Sequence, residues 1–140
     1  MIKVFLDTNV ILDYYLDRES FSDEAETILS LGFGHAYQIY VSALTFANIA
    51  YIARKKFPGD MIYTVLGTLQ EFAGVTPVDS YAIQSAVNLK ADDFEDALQY
   101  FSARAVDADY IVTRNVKDFA FSKILVLTPH EFLDKVQILK

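Results

Sequence analysis

The sequence has no cysteine, few basic residues and no long apolar run. The lack of cysteine excludes disulfide bonds, thiolate metal sites and cysteine nucleophiles. Because Asp7 interrupts the first apolar run and no other run is long enough to span a bilayer, no signal peptide or membrane segment is predicted. We therefore expect a cytoplasmic protein without membrane association.

The charge balance excludes one simple kind of nucleic-acid binding. The chain carries 19 Asp and Glu against 12 Lys and Arg, a net charge of −7. A protein that holds nucleic acid by phosphate contacts alone would be basic. Nucleic-acid chemistry is compatible with this composition only where metal ions or a local basic patch offset the acidity. A basic protein partner would suit it as well.

Apolar residues are plentiful in the rest of the chain. Hydrophobic residues make up 53% of the 140 residues and aromatic residues 14%. This length and composition predict a single domain over residues 1–140 that buries a core of its own. No repeat, low-complexity segment or linker interrupts it.

Short runs of β-forming residues alternate with stretches of helical periodicity. The predicted strands are Lys3–Leu6, Tyr37–Val41, Val75–Val78, Tyr110–Thr113 and Ile124–Leu127. The helices between them have predicted N-caps at Ser22 or Asp23, Ser42, Asp60, Asp79 or Ser80, and Thr128. The helix after Ser42 is expected to run to about Lys56. This alternation predicts an α/β fold, a three-layer α/β/α sandwich around a parallel sheet.

The most informative stretch is Asp7-Thr8-Asn9, which follows the first predicted strand. In open α/β sheets, ligands bind at the carboxyl ends of the strands. Asp7 therefore stands where a ligand of a metal or phosphate is useful. The alternative is that Asp7 or Asn9 only caps the helix that follows.

Three further segments hold polar groups near the ends of elements. Asn48 places an amide on an otherwise apolar helix face, either as a satisfied core or interface residue or as part of a site. Residues 92–96 (DDFED) include four carboxylates. The helix dipole explains part of that cluster, and a divalent cation would explain the rest. Asn115 and Asp118 follow a predicted strand and are either ligands or residues that shape the loop.

Together these groups point to metal-assisted phosphodiester chemistry. Oxygen ligands without His or Cys favour Mg²⁺ or Mn²⁺, ions that bring a phosphodiester and a water together. The two histidines, His35 and His130, lie outside these segments, and we interpret them as structural or surface residues. A phosphatase of the haloacid-dehalogenase type needs Asp-x-Asp, and here Asn9 is the third residue. In a receiver domain Asp79 could accept phosphate, but the cluster at residues 92–96 would have no role.

Four segments together resemble the PIN-domain family of metal-dependent ribonucleases, which includes VapC-type toxins of toxin–antitoxin pairs. They are FLDTNVILD (residues 5–13), YVSALTFANI (40–49), DFEDALQYFSA (93–103) and ADYIVTRNVKDF (108–119). Their order and spacing match over nearly the whole chain. The resemblance implies a compact α/β sandwich that cleaves RNA with a Mg²⁺ or Mn²⁺ cofactor. It also implies a homodimer and, often, an antitoxin partner.

The resemblance assigns roles to individual residues. The implied catalytic residues are Asp7, Asp96, Asn115 and Asp118. The implied metal ligands are Asp7, Asp93, Asp96 and Asp118. Other residues implied to line the site are Thr8, Asn9, Asn48 and Thr113. Phosphate contacts are expected from Arg114 and Lys117.

Two positions depart from the family pattern. The glutamate of the family's middle helix falls at Asn48, and the acidic residue after the late strand falls at Asn115. An amide oxygen can bind a cation, but it carries no charge and cannot act as a base. The residues therefore leave two hypotheses open. One is a metal-dependent toxin ribonuclease, and the other is a catalytically weakened PIN-like module that binds RNA or protein.

Overall fold

The computed structural model describes the backbone of residues 1–139 and the side chains of residues 1–137; Lys140, which the predicted domain includes, lies outside the described residues. The described chain contains five strands, seven α-helices and one 3₁₀ turn. The strands are β1 (Lys3–Leu6), β2 (Gln38–Ser42), β3 (Gly74–Thr76), β4 (Tyr110–Val112) and β5 (Leu125–Leu127). The helices are α1 (Thr8–Tyr15), α2 (Ser22–Phe33), α3 (Ala43–Ile52), α4 (Met61–Phe72), α5 (Ser80–Leu89), α6 (Phe94–Ala105) and α7 (Pro129–Leu139), and the 3₁₀ turn is Val116–Phe119.

All five strands pair in parallel, in the order β3-β2-β1-β4-β5. The first strand is central, and Phe5 pairs with Tyr40 on β2 and with Ile111 on β4. The predicted parallel α/β sheet is therefore confirmed. This order puts the carboxyl ends of β1 and β4 side by side, so Asp7 and Thr113 become neighbours.

Helices cover both faces of the sheet. Alternate side chains of a strand point to opposite faces, so Val4 and Leu6 enter one core and Phe5 enters another. The first core is closed by α1, α2, α3, α4 and α7. The second is closed by α6 and the 3₁₀ turn, with α5 packed against α6. These layers confirm the predicted three-layer α/β/α sandwich.

Several predicted boundaries were correct. The Ser42 Oγ accepts a hydrogen bond from the Leu44 N–H, and Asp79 caps α5 through the Ala82 N–H. At α7, Thr128 and Glu131 form the predicted capping box, with Pro129 as the first helical residue.

Other predicted boundaries were wrong. The helix α3 ends at Ile52 rather than near Lys56, and α2 begins after Phe21, without a side-chain cap from Ser22 or Asp23. Asp60 is the N-cap residue of α4, as predicted, although its side chain makes no capping hydrogen bond. The strand β3 ends at Thr76 because Pro77 has no N–H to continue the ladder. None of the helices in residues 1–139 is long and apolar enough to cross a membrane.

Candidate metal and nucleic-acid site

Asp7 lies at the carboxyl end of β1 and is only 5% exposed. Its Oδ1 accepts a hydrogen bond from the Thr8 N–H at 2.8 Å, and its Oδ2 accepts one from the Thr113 hydroxyl at 2.9 Å. Burial raises the pKa of Asp7 from 3.8 to about 6, although both hydrogen bonds act in the opposite direction. The predicted helix cap is therefore real, and it coexists with a carboxyl group that is costly to ionise.

Asp96 lies in the first turn of α6, next to this carboxyl group. The N-cap of the helix is Asp93, whose Oδ1 accepts a hydrogen bond from the Asp96 N–H at 3.0 Å. Burial, followed by the charges of Asp7, Asp93, Asp118 and Glu95, raises the pKa of Asp96 to about 7. The charges of the other three carboxylates implied as metal ligands, and that of Glu95, thus all reach Asp96. We call these five residues the acidic cluster.

Asn48 faces the acidic cluster from α3. Its Nδ2 donates a hydrogen bond to Glu95 Oε1 at 2.6 Å, joining α3 to the first turn of α6. Asn48 is half-buried, so it is not a fully enclosed core residue, which was one of the two interpretations of its position on an apolar helix face. The Glu95 carboxylate also acts on the pKa of both Asp7 and Asp96. At the position where the family pattern has a glutamate, this chain therefore has an amide that is hydrogen-bonded to a carboxylate from another helix.

A buried polar cluster joins the three helices that carry these residues. The hydroxyls of Thr8 and Thr45 lie 2.8 Å apart, and Gln99 Nε2 donates to Thr8 Oγ1 at 2.8 Å. All three residues are buried, and Gln99 Oε1 has no hydrogen-bond partner among the described residues. Thr8 follows Asp7, Thr45 lies one turn before Asn48, and Gln99 lies one turn after Asp96. The cluster therefore fixes the spacing of α1, α3 and α6 behind the site.

A second polar cluster contains the fully buried carboxylate of Asp13 and two arginines. Arg18 Nη1 lies 3.2 Å from Asp13 Oδ1, and Arg114 Nε lies 2.9 Å from Asp13 Oδ2. The Arg114 N–H is not well directed at the carboxylate, so this contact is an ion pair rather than a hydrogen bond. Arg18 Nη1 also donates to Asn9 Oδ1 at 3.1 Å. Burial raises the pKa of Asp13 against the pull of both arginines.

The remaining candidate residues lie around the loop after β4. The Thr113 hydroxyl, besides donating to Asp7, accepts a hydrogen bond from the Asn115 N–H at 3.1 Å. The side chains of Asn115, Lys117 and Asp118 are exposed and form no ion pair or hydrogen bond with the rest of residues 1–137. Arg114 is committed to Asp13 through its Nε, which leaves its terminal nitrogens as the candidates for phosphate contact.

The acidic cluster suits a divalent cation in chemical type. Its donors are carboxylate oxygens. The pKa values of Asp7 and Asp96 are raised first by burial and then by neighbouring carboxylates, and a cation would offset both effects. The positions of the side chains are less suitable, because no group of three or more acidic or His side chains in the described part of the chain is arranged to hold a metal ion. Within the acidic cluster Asp7 is buried and Asp96 is half-buried, whereas Asp93, Glu95 and Asp118 are exposed.

Sequence reasoning assigned no role to four residues of this region, Asp13, Phe21, Thr45 and Gln99, and it named Glu95 only as one of the four carboxylates of residues 92–96. Helical spacing holds a signal for two of them, because Thr45 and Gln99 each lie three residues from a candidate on the same helix face. The same spacing rule applies to Asp13, which lies four residues after the candidate Asn9 and so on the same face of α1. The contacts that Phe21 makes with Arg114 and Glu95 makes with Asn48 span long sequence separations, so no local pattern predicts them.

Comparison with protein-family models matches residues 3–117 to the PIN domain. Comparison of the sequence with functionally curated proteins gives no significant match.

Solved structures with the same fold include a toxin–antitoxin complex from Klebsiella pneumoniae. It matches with a TM-score of 0.68 at 24% identity, over 91% of this chain and 98% of the other. FitAcB from Neisseria gonorrhoeae matches with a TM-score of 0.65 at 17% identity, over 91% and 98% of the two chains. DNA-bound VapBC from Salmonella typhimurium matches with a TM-score of 0.65 at 18% identity, over 91% and 97%.

Proposed function

Because this chain belongs to the PIN-domain family, we propose that it is a divalent-metal-dependent ribonuclease and the toxin of a toxin–antitoxin pair. The observation that carries the proposal is the acidic cluster, in which Asp7 and Asp96 hold strongly raised pKa values at the ends of two elements. Perturbed carboxyls at the carboxyl ends of parallel strands are typical of functional sites.

Asp7 and Asp96 would be the main ligands of Mg²⁺ or Mn²⁺, with Asp93 and Asp118 beside them. When bound, such an ion activates a water and stabilises the charge that develops on a phosphodiester. The surrounding residues orient these ligands. Thr113 and the Thr8 N–H fix both oxygens of Asp7, and Asp93 caps the helix that carries Asp96. Asn115 would contribute an amide oxygen, which cannot act as a base.

The substrate proposed is a single RNA strand, bound by cations at the edge of the acidic cluster. Arg114 and Lys117 are the proposed phosphate contacts, since Arg114 lies in the loop after β4 and Lys117 lies in the 3₁₀ turn that follows it. A guanidinium can bind two phosphate oxygens at once, whereas Lys117 offers a single point charge. The net charge of −7 makes such local cations necessary for RNA to approach.

The experiment is a cleavage assay on total RNA with Mg²⁺, Mn²⁺ or EDTA. We expect metal-dependent cleavage that Asp7→Asn and Asp96→Asn abolish. Asp23→Asn, which removes an equal charge from an exposed position on α2, should cleave like the natural chain. Calorimetric titration of Mg²⁺ should show weaker binding in the two site variants alone. Cleavage that persists in EDTA, or in Asp7→Asn, would refute the assignment.

A second candidate function, a PIN-like module that binds RNA or protein with weakened catalysis, is favoured by a specific contact. At Asn48 an amide stands in place of the charged glutamate of the family pattern, and this amide already donates a hydrogen bond to Glu95. In addition, the described carboxylates are not arranged as a group of three around one point. The module would bind RNA in Mg²⁺ without cutting it, so a binding measurement run beside the cleavage assay separates the two functions.

The proposed partner is an antitoxin, since structural neighbours of this chain are toxin–antitoxin complexes. A groove of about 380 Å³ lies between α1, α2 and α4, with Tyr14, Leu29, Phe33, Val65 and Phe72 in its walls. We propose that an apolar-faced antitoxin segment occupies it. Phe33 is 72% exposed, so Phe33→Asp should spare the fold yet prevent co-purification with a small protein encoded by the adjacent gene. The matched control is Phe94→Asp, at another exposed position. Equal loss of co-purification in both variants would contradict the proposal that the antitoxin occupies the groove.

A homodimer is proposed on the family resemblance alone. Sedimentation equilibrium of the purified chain tests it directly. A monomer at all accessible concentrations would refute it.

A further inference from the structure

Asp13 is a carboxylate that the proposed chemistry does not use, although it is fully buried. It lies in α1, two turns after Asp7, and makes ion pairs with Arg18 and Arg114. Burying a carboxylate is costly, and two cations around it are more than neutralisation alone requires. The arrangement leaves one positive charge in excess, at the edge of the acidic cluster.

Arg114 is held on two sides. Its Nε lies 2.9 Å from Asp13 Oδ2, and its Cζ lies 4.1 Å from the centre of the Phe21 ring. Stacking on an aromatic ring and pairing with a carboxylate together restrict a side chain that is otherwise flexible. Its two terminal nitrogens donate no hydrogen bond to any described residue, and they are not buried. Arg114 therefore presents a fixed guanidinium fork with free donors.

The same carboxylate also holds the loop that carries Phe21. The Arg18 N–H donates to the Asp13 carbonyl at 3.0 Å, and the Arg18 side chain returns to the Asp13 carboxylate. Asp17 and Ser20 in this loop have positive φ values of 51° and 74°, a conformation that L residues adopt only when their surroundings impose it. Removing the Asp13 charge would therefore loosen both supports of Arg114.

Arg114 lies beside the proposed metal ligands. It directly follows Thr113, whose hydroxyl donates to Asp7, and its charge acts on the Asp7 carboxyl. A fixed cation at this place lets an anionic strand approach carboxylates that would otherwise repel it.

We propose that Asp13 is a positioning residue, which holds the Arg114 guanidinium where its terminal nitrogens bind a phosphodiester of single-stranded RNA. This inference rests on the proposed function. It also predicts the direction in which the loss of Asp13 changes RNA affinity. By simple electrostatics, removing an acidic residue from a chain of net charge −7 should strengthen RNA binding. A positioning role for Asp13 instead predicts weaker binding.

The test is fluorescence anisotropy with a labelled, random-sequence, phosphorothioate-linked RNA in Mg²⁺ at several salt concentrations. We expect Arg114→Ala to weaken binding about tenfold, the effect of one lost charged contact, and to reduce the salt slope by about 0.7. Asp13→Asn should weaken binding about threefold to tenfold. Asp17→Asn removes an equal charge from an exposed position in the same loop and should bind as well as the natural chain or better.

The double variant decides whether Asp13 acts through Arg114. If it does, Asp13→Asn adds no further loss once Arg114→Ala is present. Phe21→Leu, which keeps both charges and removes the stacked ring, should weaken binding in the same direction, and thermal melts confirm that each variant is folded. Asp13→Asn binding like Asp17→Asn would overturn the inference while leaving the ribonuclease proposal intact. RNA binding that depends on Arg114 without any cleavage would refute the ribonuclease proposal and leave the inference about Asp13 intact. The absence of any RNA binding would overturn both.

Discussion

The substitution Asn48→Glu restores the charge that the family pattern places on the middle helix. In the metal-free protein this carboxylate would replace the Asn48 amide, which donates to Glu95 Oε1 at 2.6 Å. A favourable charged hydrogen bond would become a contact between two carboxylates, beside Asp7 and Asp96. We therefore expect Asn48→Glu to destabilise the metal-free chain and to strengthen the binding of Mg²⁺.

The magnitude follows from the two terms at this contact. A lost hydrogen bond to a charged group costs about 1.5–3 kcal/mol. Two carboxylates at ~4 Å repel by about 1 kcal/mol in water and about 4 kcal/mol near a protein surface. Because Glu95 is exposed and can rotate away, we expect a total of about 2 kcal/mol at pH 8, or a fall in Tm of about 4–8 °C. In Mg²⁺, the added negative ligand should lower the Kd about tenfold, the equivalent of ~1.4 kcal/mol.

Thermal melts in EDTA and calorimetric Mg²⁺ titrations measure the two effects. Asn48→Gln keeps an amide and should show neither. Adding Glu95→Gln to Asn48→Glu removes the repulsion and should recover most of the lost stability in EDTA. The reasoning is refuted if Asn48→Glu melts at or above the natural chain in EDTA at pH 8, or binds Mg²⁺ no more tightly.

Three further outcomes are expected. The raised pKa values of Asp7, about 6, and Asp96, about 7, mean that the folded chain holds these protons more tightly than the unfolded chain, so metal-free stability falls as pH rises from about 4 to 7. A Tm in EDTA that is higher at pH 8 than at pH 5 would contradict this. Thr113→Val removes a buried donor to Asp7 and should cost about 1–3 kcal/mol in urea unfolding at pH 8 and less at pH 5, where Asp7 is mostly protonated. Gln99→Leu should cost only about 0.5–1.5 kcal/mol, because it removes the Nε2 hydrogen bond to Thr8 Oγ1 together with an oxygen that has no partner, and it leaves the Thr8–Thr45 bond. Gln99→Ala, which opens a cavity, should cost about 2–5 kcal/mol.

The fold could be predicted from the sequence because its signals are local. Each strand is a short apolar run, and caps such as Ser42, Asp79 and Thr128 mark the helices that follow. The wrong boundaries lack such a local signal. The helix α3 ends at Ile52, although Pro58 is the first residue that cannot continue it, and α2 begins at Ser22 without a side-chain cap. Most helical stability comes from tertiary packing, which leaves no mark at a single position.

The site could be predicted only in part, because its contacts cross long sequence separations. Asp7 and Thr113 stand at the ends of adjacent strands, so the strand order implies that they meet. The pairs Asn48–Glu95 and Asp13–Arg114 depend on how helices and loops lie against the sheet. In the structure the charges of Asp7, Asp93 and Asp118 all act on Asp96, but the catalytic and metal-binding roles of these four residues stay predictions.

Asp7 shows why stability alone does not account for this site. Two hydrogen bonds stabilise its ionised form, yet its pKa remains raised because burial outweighs them. An asparagine would keep an acceptor oxygen for one of these two donors without the cost of burying a charge, so folding alone does not require the acid. The same holds for Asp96, whose pKa is raised by burial and by four neighbouring carboxylates. Unfavourable charges that collect at the end of β1 and in the first turn of α6, on well-supported elements, are typical of a site that binds a positive group. The divalent cation proposed above would supply that charge between the carboxylates, and the Arg114 guanidinium would supply it at their edge.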